Sequence, residues 1–232
     1  MTATIGVVVF PGSNCEHDVV ETLTGLGAEA RLLWHGEDRI GTVDGVVLPG
    51  GFAHGDYLRP GAFARFSPIM AAVGDFARAG GPVVGICNGF QVLTEAGLLP
   101  GALQKNRGLR FLCTMVDVRV ETDRSVLTSA VPAGRKLRLP INHFEGNYTC
   151  HAETLAELRA EERVVLRYVD NPNGSTDDIA GICSEGRNVV GLMPHPERAC
   201  DPLGRSMDGR LLLSSLLTAA ETAFPPPVQK IS

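Results

Sequence analysis

An unbroken apolar run at 5–10, from Ile5 to Phe10, predicts a buried strand. It is followed over 16–26 by Val19, Val20, Leu23 and Leu26 at helical spacing. Two further β-rich runs lie at 28–33 and 45–48, the second stopped by Pro49-Gly50-Gly51. Residues 63–78 read as a helix, 82–86 as a fourth strand, and 91–96 as the continuation of a helix that starts just after residue 87. Strands alternating with helices predict a mostly parallel central sheet flanked by helices. Beyond residue 110 the pattern changes. Runs at 111–120, 137–142, 164–168, 179–182 and 189–193 all read as strands, which predicts an antiparallel extension of the sheet in the second half. A last helix is expected over 210–222, and the proline-rich 225–232 as a loose tail. With no repeat, low-complexity tract or linker, the expectation is one α/β domain over 1–232.

Composition narrows the function classes. A chain of 232 residues that is 44% apolar can bury a sizeable core. A net charge of −5, with Lys105, Lys136 and Lys230 the only lysines, argues against a nucleic-acid partner. The run at 5–10 is too short for a signal-peptide core and Arg31 is the first basic residue, so the expected location is cytoplasmic. No stretch approaches the roughly 20 apolar residues of a membrane span. The cysteines at 15, 87, 113, 150, 183 and 200 form no CxxC pair, which excludes a zinc knuckle. Five of them read as small buried hydrophobes.

Cys87 is different. In PVVGICNGFQVL it stands between a strand and a helix, with Gly85 and Gly89 two residues to either side. This is the spacing of a nucleophile elbow, in which flanking side chains would clash. The helix N-terminus directs N–H groups and partial positive charge at the sulfur, favouring the reactive thiolate, and the Asn88 N–H becomes a candidate oxyanion donor. A base is offered by GLMPHPER, where His195 lies between Pro194 and Pro196 and Glu197 follows at i+2. In an extended segment those two side chains point the same way, and the carboxylate would hold the imidazole in one tautomer. Among the other histidines only His143, with Glu145 at i+2, is a rival base. Gly50 and Gly51 end a strand whose loop would line the ligand crevice, with Gly51 the better placed to pair with Asn88 around an oxyanion.

A cysteine elbow, an earlier Pro-Gly-Gly loop and a late HPE together resemble the class I glutamine amidotransferases. Within them the chain resembles the family of glutaminase subunits of phosphoribosylformylglycinamidine synthase. The matching stretches are FPGSNCEHD at 10–18, GGFAHGDYLRPGA at 50–62, GICNGFQVL at 85–93, GALQKN at 101–106, LPINHFEGNY at 139–148, DNPNGS at 170–175 and MPHPER at 193–198. They span nearly the whole chain, and GDYLR and DNPNGS are far more specific than the cysteine and HPE motifs. The resemblance implies a flavodoxin-like fold and a triad of Cys87 as nucleophile, His195 as base and Glu197 as its orienter. It also implies contact of Gln91, and of the Gly50 loop, with the glutamine substrate. It implies two partners: a separate synthetase subunit, which binds ATP and Mg, and a small bridging subunit. In keeping with this, the chain carries no G-x-x-x-x-G-K-[ST] or G-x-G-x-x-G loop, so no cofactor is expected in it. Phe144 departs from the family pattern, which has a small residue there.

Other readings are another class I amidotransferase, a flavodoxin-like redox sensor or chaperone with an elbow cysteine, and a non-catalytic binding module. The GDYLR loop disfavours the first and the proline-bracketed base the second. The third leaves a complete triad without a purpose.

Overall fold

The structure, a computed structural model, describes residues 2–223. Eleven strands and five α-helices run in the order β1 (Thr4–Val9), α1 (Glu16–Gly25), β2 (Glu29–Trp34), β3 (Gly45–Leu48), α2 (Ile69–Arg78), β4 (Val83–Ile86), α3 (Asn88–Glu95), β5 (Ala102–Gln104), β6 (Leu112–Val120), β7 (Lys136–His143), β8 (Asn147–Thr149), α4 (Ala152–Ala160), β9 (Val164–Tyr168), β10 (Ile179–Cys183), β11 (Val189–Leu192) and α5 (Gly209–Ala223). Nine strands form one sheet in the order β2-β1-β3-β4-β11-β10-β9-β6-β7, and β5 pairs with β8 apart from it.

The apolar runs explain the centre of this sheet. Every residue of β3, β4, β10 and β11 is buried, so these strands are covered on both faces. α1 packs on β1 and β2, α5 on β3 and β7, and α3 across β3, β4 and β11. The five strands from β2 to β11 pair in parallel, and those from β10 to β7 antiparallel. The expected α/β sheet with an antiparallel extension is therefore present, with one correction. The expectation places β11 in the extension, but it pairs in parallel with β4, from Val189↔Val83 to Leu192↔Ile86. An all-apolar run carries no alternation, so its sequence does not reveal its partner.

Two other expectations shift. The helix expected over 63–78 is a short 3₁₀ turn (Ala64–Phe66) followed by α2. Pro68 separates them, because its preceding residue is held extended, with Ser67 at ψ 137°. α4 has no counterpart in the sequence pattern: it buries only Leu158, so there is no apolar stripe to read. The tail expected over 225–232 lies outside the described residues. Among the described residues no helix is long and apolar enough to cross a membrane.

Candidate active site

Cys87 lies between the end of β4 and the start of α3, with φ 52° and ψ −105°. A non-glycine residue at positive φ costs on the order of 1–3 kcal/mol and persists only where its surroundings fix it. Here the Cys87 N–H donates to the Leu192 carbonyl at 2.8 Å, and its own carbonyl accepts from Phe90 and Gln91 at 3.0 and 3.2 Å. The flanking glycines are required by contact. A Cβ on Gly85 would stand 2.6 Å from the Gly89 carbonyl carbon, and one on Gly89 2.0 Å from the Leu48 oxygen. The Cys87 thiol donates to the Asn142 carbonyl at 3.7 Å, so the end of β7 reaches the elbow.

His195 follows β11, and its N–H donates to the Pro140 carbonyl at 2.9 Å. Its Nδ1 lies 2.6 Å from Glu197 Oε1, and both side chains are buried. The two residues do not sit in the extended segment that the sequence predicts. His195 (φ −103°, ψ 89°) caps a short turn (Pro196–Arg198), since Pro196 suits the first position of such a turn. Burial alone would lower the His195 pKa, but the Glu197 carboxylate, with Cys87 and Cys15 adding to it, raises it well above the ordinary value. His195 Nε2 is buried and has no hydrogen-bond partner among the described residues.

The loop after β3 completes the site. Gly50 packs under the imidazole, where a Cβ would stand 2.7 Å from His195 Cε1 and 3.1 Å from Cys15 Sγ. The Gly50 carbonyl accepts from the N–H groups of Asn14 and Cys15 at 3.3 and 3.2 Å. Gly51, at φ 141°, is pressed against Ser13 and Asn14. Asn88 ties the loop to the elbow: its Oδ1 accepts from the Ala53 N–H at 3.0 Å, and its Nδ2 donates to Asp56 Oδ1 at 3.0 Å and Gln91 Oε1 at 2.8 Å. Gln91 Nε2 donates in turn to the Glu145 carbonyl at 2.5 Å. Both ends of the Gln91 amide are therefore engaged by the protein, and the residue joins α3 to the turn after β7.

Three residues belong to this region that the sequence does not single out. Cys15 reads in the sequence as a core residue, yet its sulfur lies at the His195–Glu197 pair and accepts from Arg198 Nη2 at 3.3 Å. One signal for it is available: like Cys87, it stands at a strand-to-helix junction, as the N-cap of α1. Asp56 is hidden in a loop. Burial, then the nearby Glu145 carboxylate, pushes its pKa up to about 6, against the hydrogen bond from Asn88. Asn106 settles the state of the rival base. Its Oδ1 lies 3.1 Å from His143 Nδ1, in the place that Glu145 would have to fill. Burial, then His195, lowers the His143 pKa to about 4, which leaves the ring neutral at pH 7.

Residues 2–211 match the family described as CobB/CobQ-like glutamine amidotransferase domain. A phosphoribosylformylglycinamidine synthase subunit PurQ from Rubrobacter xylanophilus is 59% identical, over 94% of this chain and 99% of its own. One from Frankia casuarinae is 52% identical over 96% of each. The chain belongs to the PurQ family. A solved structure described as PurLQS from Thermotoga maritima superposes with a TM-score of 0.87 at 42% identity, over 94% of this chain and 99% of that one. A second solved structure, a glutamine amidotransferase from Thermotoga maritima, has a TM-score of 0.57 at 16% identity, over 95% of this chain and 93% of that one, and shares the fold. Membership of the PurQ family makes the chain a glutamine amidotransferase, and the elbow, the histidine–glutamate pair and the loop after β3 all lie within the matched residues.

Proposed function

We propose that this chain is the glutaminase subunit of a phosphoribosylformylglycinamidine synthase, hydrolysing L-glutamine to glutamate and ammonia at Cys87. The observation that carries the reading is a strained cysteine elbow facing a buried imidazole whose Nδ1 is held by a carboxylate at 2.6 Å and whose Nε2 is unpaired. His195 Nε2 takes the thiol proton, and the thiolate attacks the side-chain amide carbon of glutamine. The oxyanion is held by the N–H groups of Asn88 and Gly51. The imidazolium returns its proton to the departing ammonia, leaving a glutamyl thioester. Water, deprotonated by the same nitrogen, then releases glutamate and restores the thiol. Asp56 and Glu145 give the site acidic groups suited to the α-ammonium of the substrate. Gln91 orients Asn88 and borders the substrate.

The PurLQS assembly of the Thermotoga maritima relative supports two partners: a separate synthetase subunit, and a small bridging subunit. ATP, Mg and formylglycinamide ribonucleotide would bind the synthetase, which would use the ammonia to make the amidine in de novo purine synthesis. The test is a reconstituted complex carrying Cys87→Ala, supplied with ATP and formylglycinamide ribonucleotide. Glutamine should give no product, while ammonium salt at raised pH should restore synthesis to the wild-type ammonia-dependent rate. An assembled Cys87→Ala complex that still uses glutamine, or that fails with ammonia, overturns the reading.

A further inference from the structure

The geometry points to a binding site for a thiophilic divalent cation, Zn²⁺ foremost, formed by Cys15, His195 and Glu197, through which the metal turns the glutaminase site off. The Cys15 sulfur, a His195 ring nitrogen and a Glu197 carboxylate oxygen lie within 4.8 Å of one another, and all three residues are buried. One thiolate, one imidazole and one carboxylate form a ligand set of the kind that zinc prefers, with a fourth position left for water. Glu197 uses only one of its oxygens on His195. The other, Oε2, is buried and has no hydrogen-bond partner among the described residues. A buried carboxylate oxygen without a partner is unusual enough to need an explanation, and a cation supplies one.

Charge and space agree with this. A thiolate and a carboxylate together balance a divalent ion. Glu197 also borders a surface cleft lined by Asp18, Glu21 and Asp201 together with Arg198 and Arg210, its own carboxylate lying buried beneath. Gly50 keeps the space between the Cys15 sulfur and the imidazole free of any side chain. Arg198 Nη2, which donates to the sulfur, is also drawn towards Asp18 by the bond from its Nε at 2.9 Å, so it has a second partner when it leaves the sulfur. On binding, the Cys15 thiol releases its proton to solvent, and nothing is oxidised or reduced. The imidazole then holds the metal, gives up its Glu197-oriented tautomer and no longer accepts the proton of Cys87. Cys87 itself is not a ligand, which separates this site from simple poisoning of the nucleophile.

The test uses the full chain carrying Cys87→Ala, so that it does not depend on the glutaminase reading. Titration with Co²⁺ should give thiolate-to-cobalt absorption that saturates at about one equivalent per chain, and Zn²⁺ should displace it. Adding Cys15→Ser should remove the absorption and weaken Zn²⁺ binding by more than about tenfold, the loss that even outer-shell partners of metal ligands cause. Circular dichroism without metal checks that the double variant folds. If it does not, alkylation of the Cys87→Ala chain by iodoacetamide, read peptide by peptide, takes its place: Zn²⁺ should protect Cys15 and leave Cys113 reactive. Absence of the absorption, its survival after Cys15→Ser, or an unprotected Cys15 in the alkylation arm overturns the proposal.

Discussion

Gly50 and His195 are in such close contact that a single added carbon cannot fit between them: a Cβ on Gly50 would lie 2.7 Å from the imidazole Cε1. Gly50→Ala should therefore push the ring off the Glu197 carboxylate while leaving the sheet intact. A displacement of about 1 Å in a catalytic group can cost on the order of 100-fold in rate, and a loss of that size in kcat is expected. Turnover by the reconstituted complex, beside an unchanged far-ultraviolet spectrum, is the measurement. Near-wild-type turnover would mean that the imidazole position is not critical.

Cys87→Ala should cut glutamine turnover by roughly 10⁶-fold, the scale for losing a triad nucleophile. The elbow also makes a stability prediction. Alanine keeps the strain of φ 52°, ψ −105°, and glycine relieves it. Cys87→Gly should accordingly be more stable than Cys87→Ala by about 1 kcal/mol in urea unfolding. Equal midpoints would show that the elbow is unstrained.

His195→Ala removes the proposed proton carrier, whereas Glu197→Gln keeps a side chain that can still bond to Nδ1. The second variant should lose less activity than the first, since the orienting carboxylate matters less than the base. Because the Glu197 carboxylate is what raises the His195 pKa against burial, Glu197→Gln should also move the histidine limb of the kcat profile to lower pH. An unmoved limb would remove Glu197 from that role.

Asp56 offers a test by pH. Its folded pKa, about 6, is above the unfolded value, so the folded state binds more protons between pH 4 and 6 and loses stability as pH rises through that window. Asp56→Asn keeps the acceptor for Asn88 Nδ2 and removes the charge. It should raise stability at pH 7–8 by about 1–2 kcal/mol, after allowing for partial solvent screening, and by nothing near pH 4. Thermal midpoints at the two pH values decide this. In the same variant the KM for glutamine should rise if the carboxylate meets the substrate ammonium.

The parts of the site that can be read in the sequence are those fixed by local sterics. Gly85 and Gly89 around Cys87 mark a turn that admits no other residues, and prolines around His195 mark a rigid segment. Contacts made across long separations are not legible in this way. Cys15 reaches His195 from the first strand-to-helix junction, and Asn106 claims His143 Nδ1 from a loop 37 residues away. Neither leaves a periodic trace. The same holds in the fold: alternation along β6 and β7 reveals an antiparallel pair, whereas the uniformly apolar β11 gives no sign that β4 is its neighbour.

The place of β11 between β4 and β10 bears on the protein during its own synthesis. The strand that leads into Cys87 ends at Ile86, but the strand that closes against it begins at Val189. The proposed base, His195, lies just beyond. Until synthesis has passed residue 195, the growing polypeptide holds Cys87 without His195 and a sheet with an open central seam. Closing a loop of that length is entropically unfavourable, so insertion of β11 is expected to be a late folding event. A chain cut short before β11 would then lack both the strand that closes against β4 and His195, and could not complete the site.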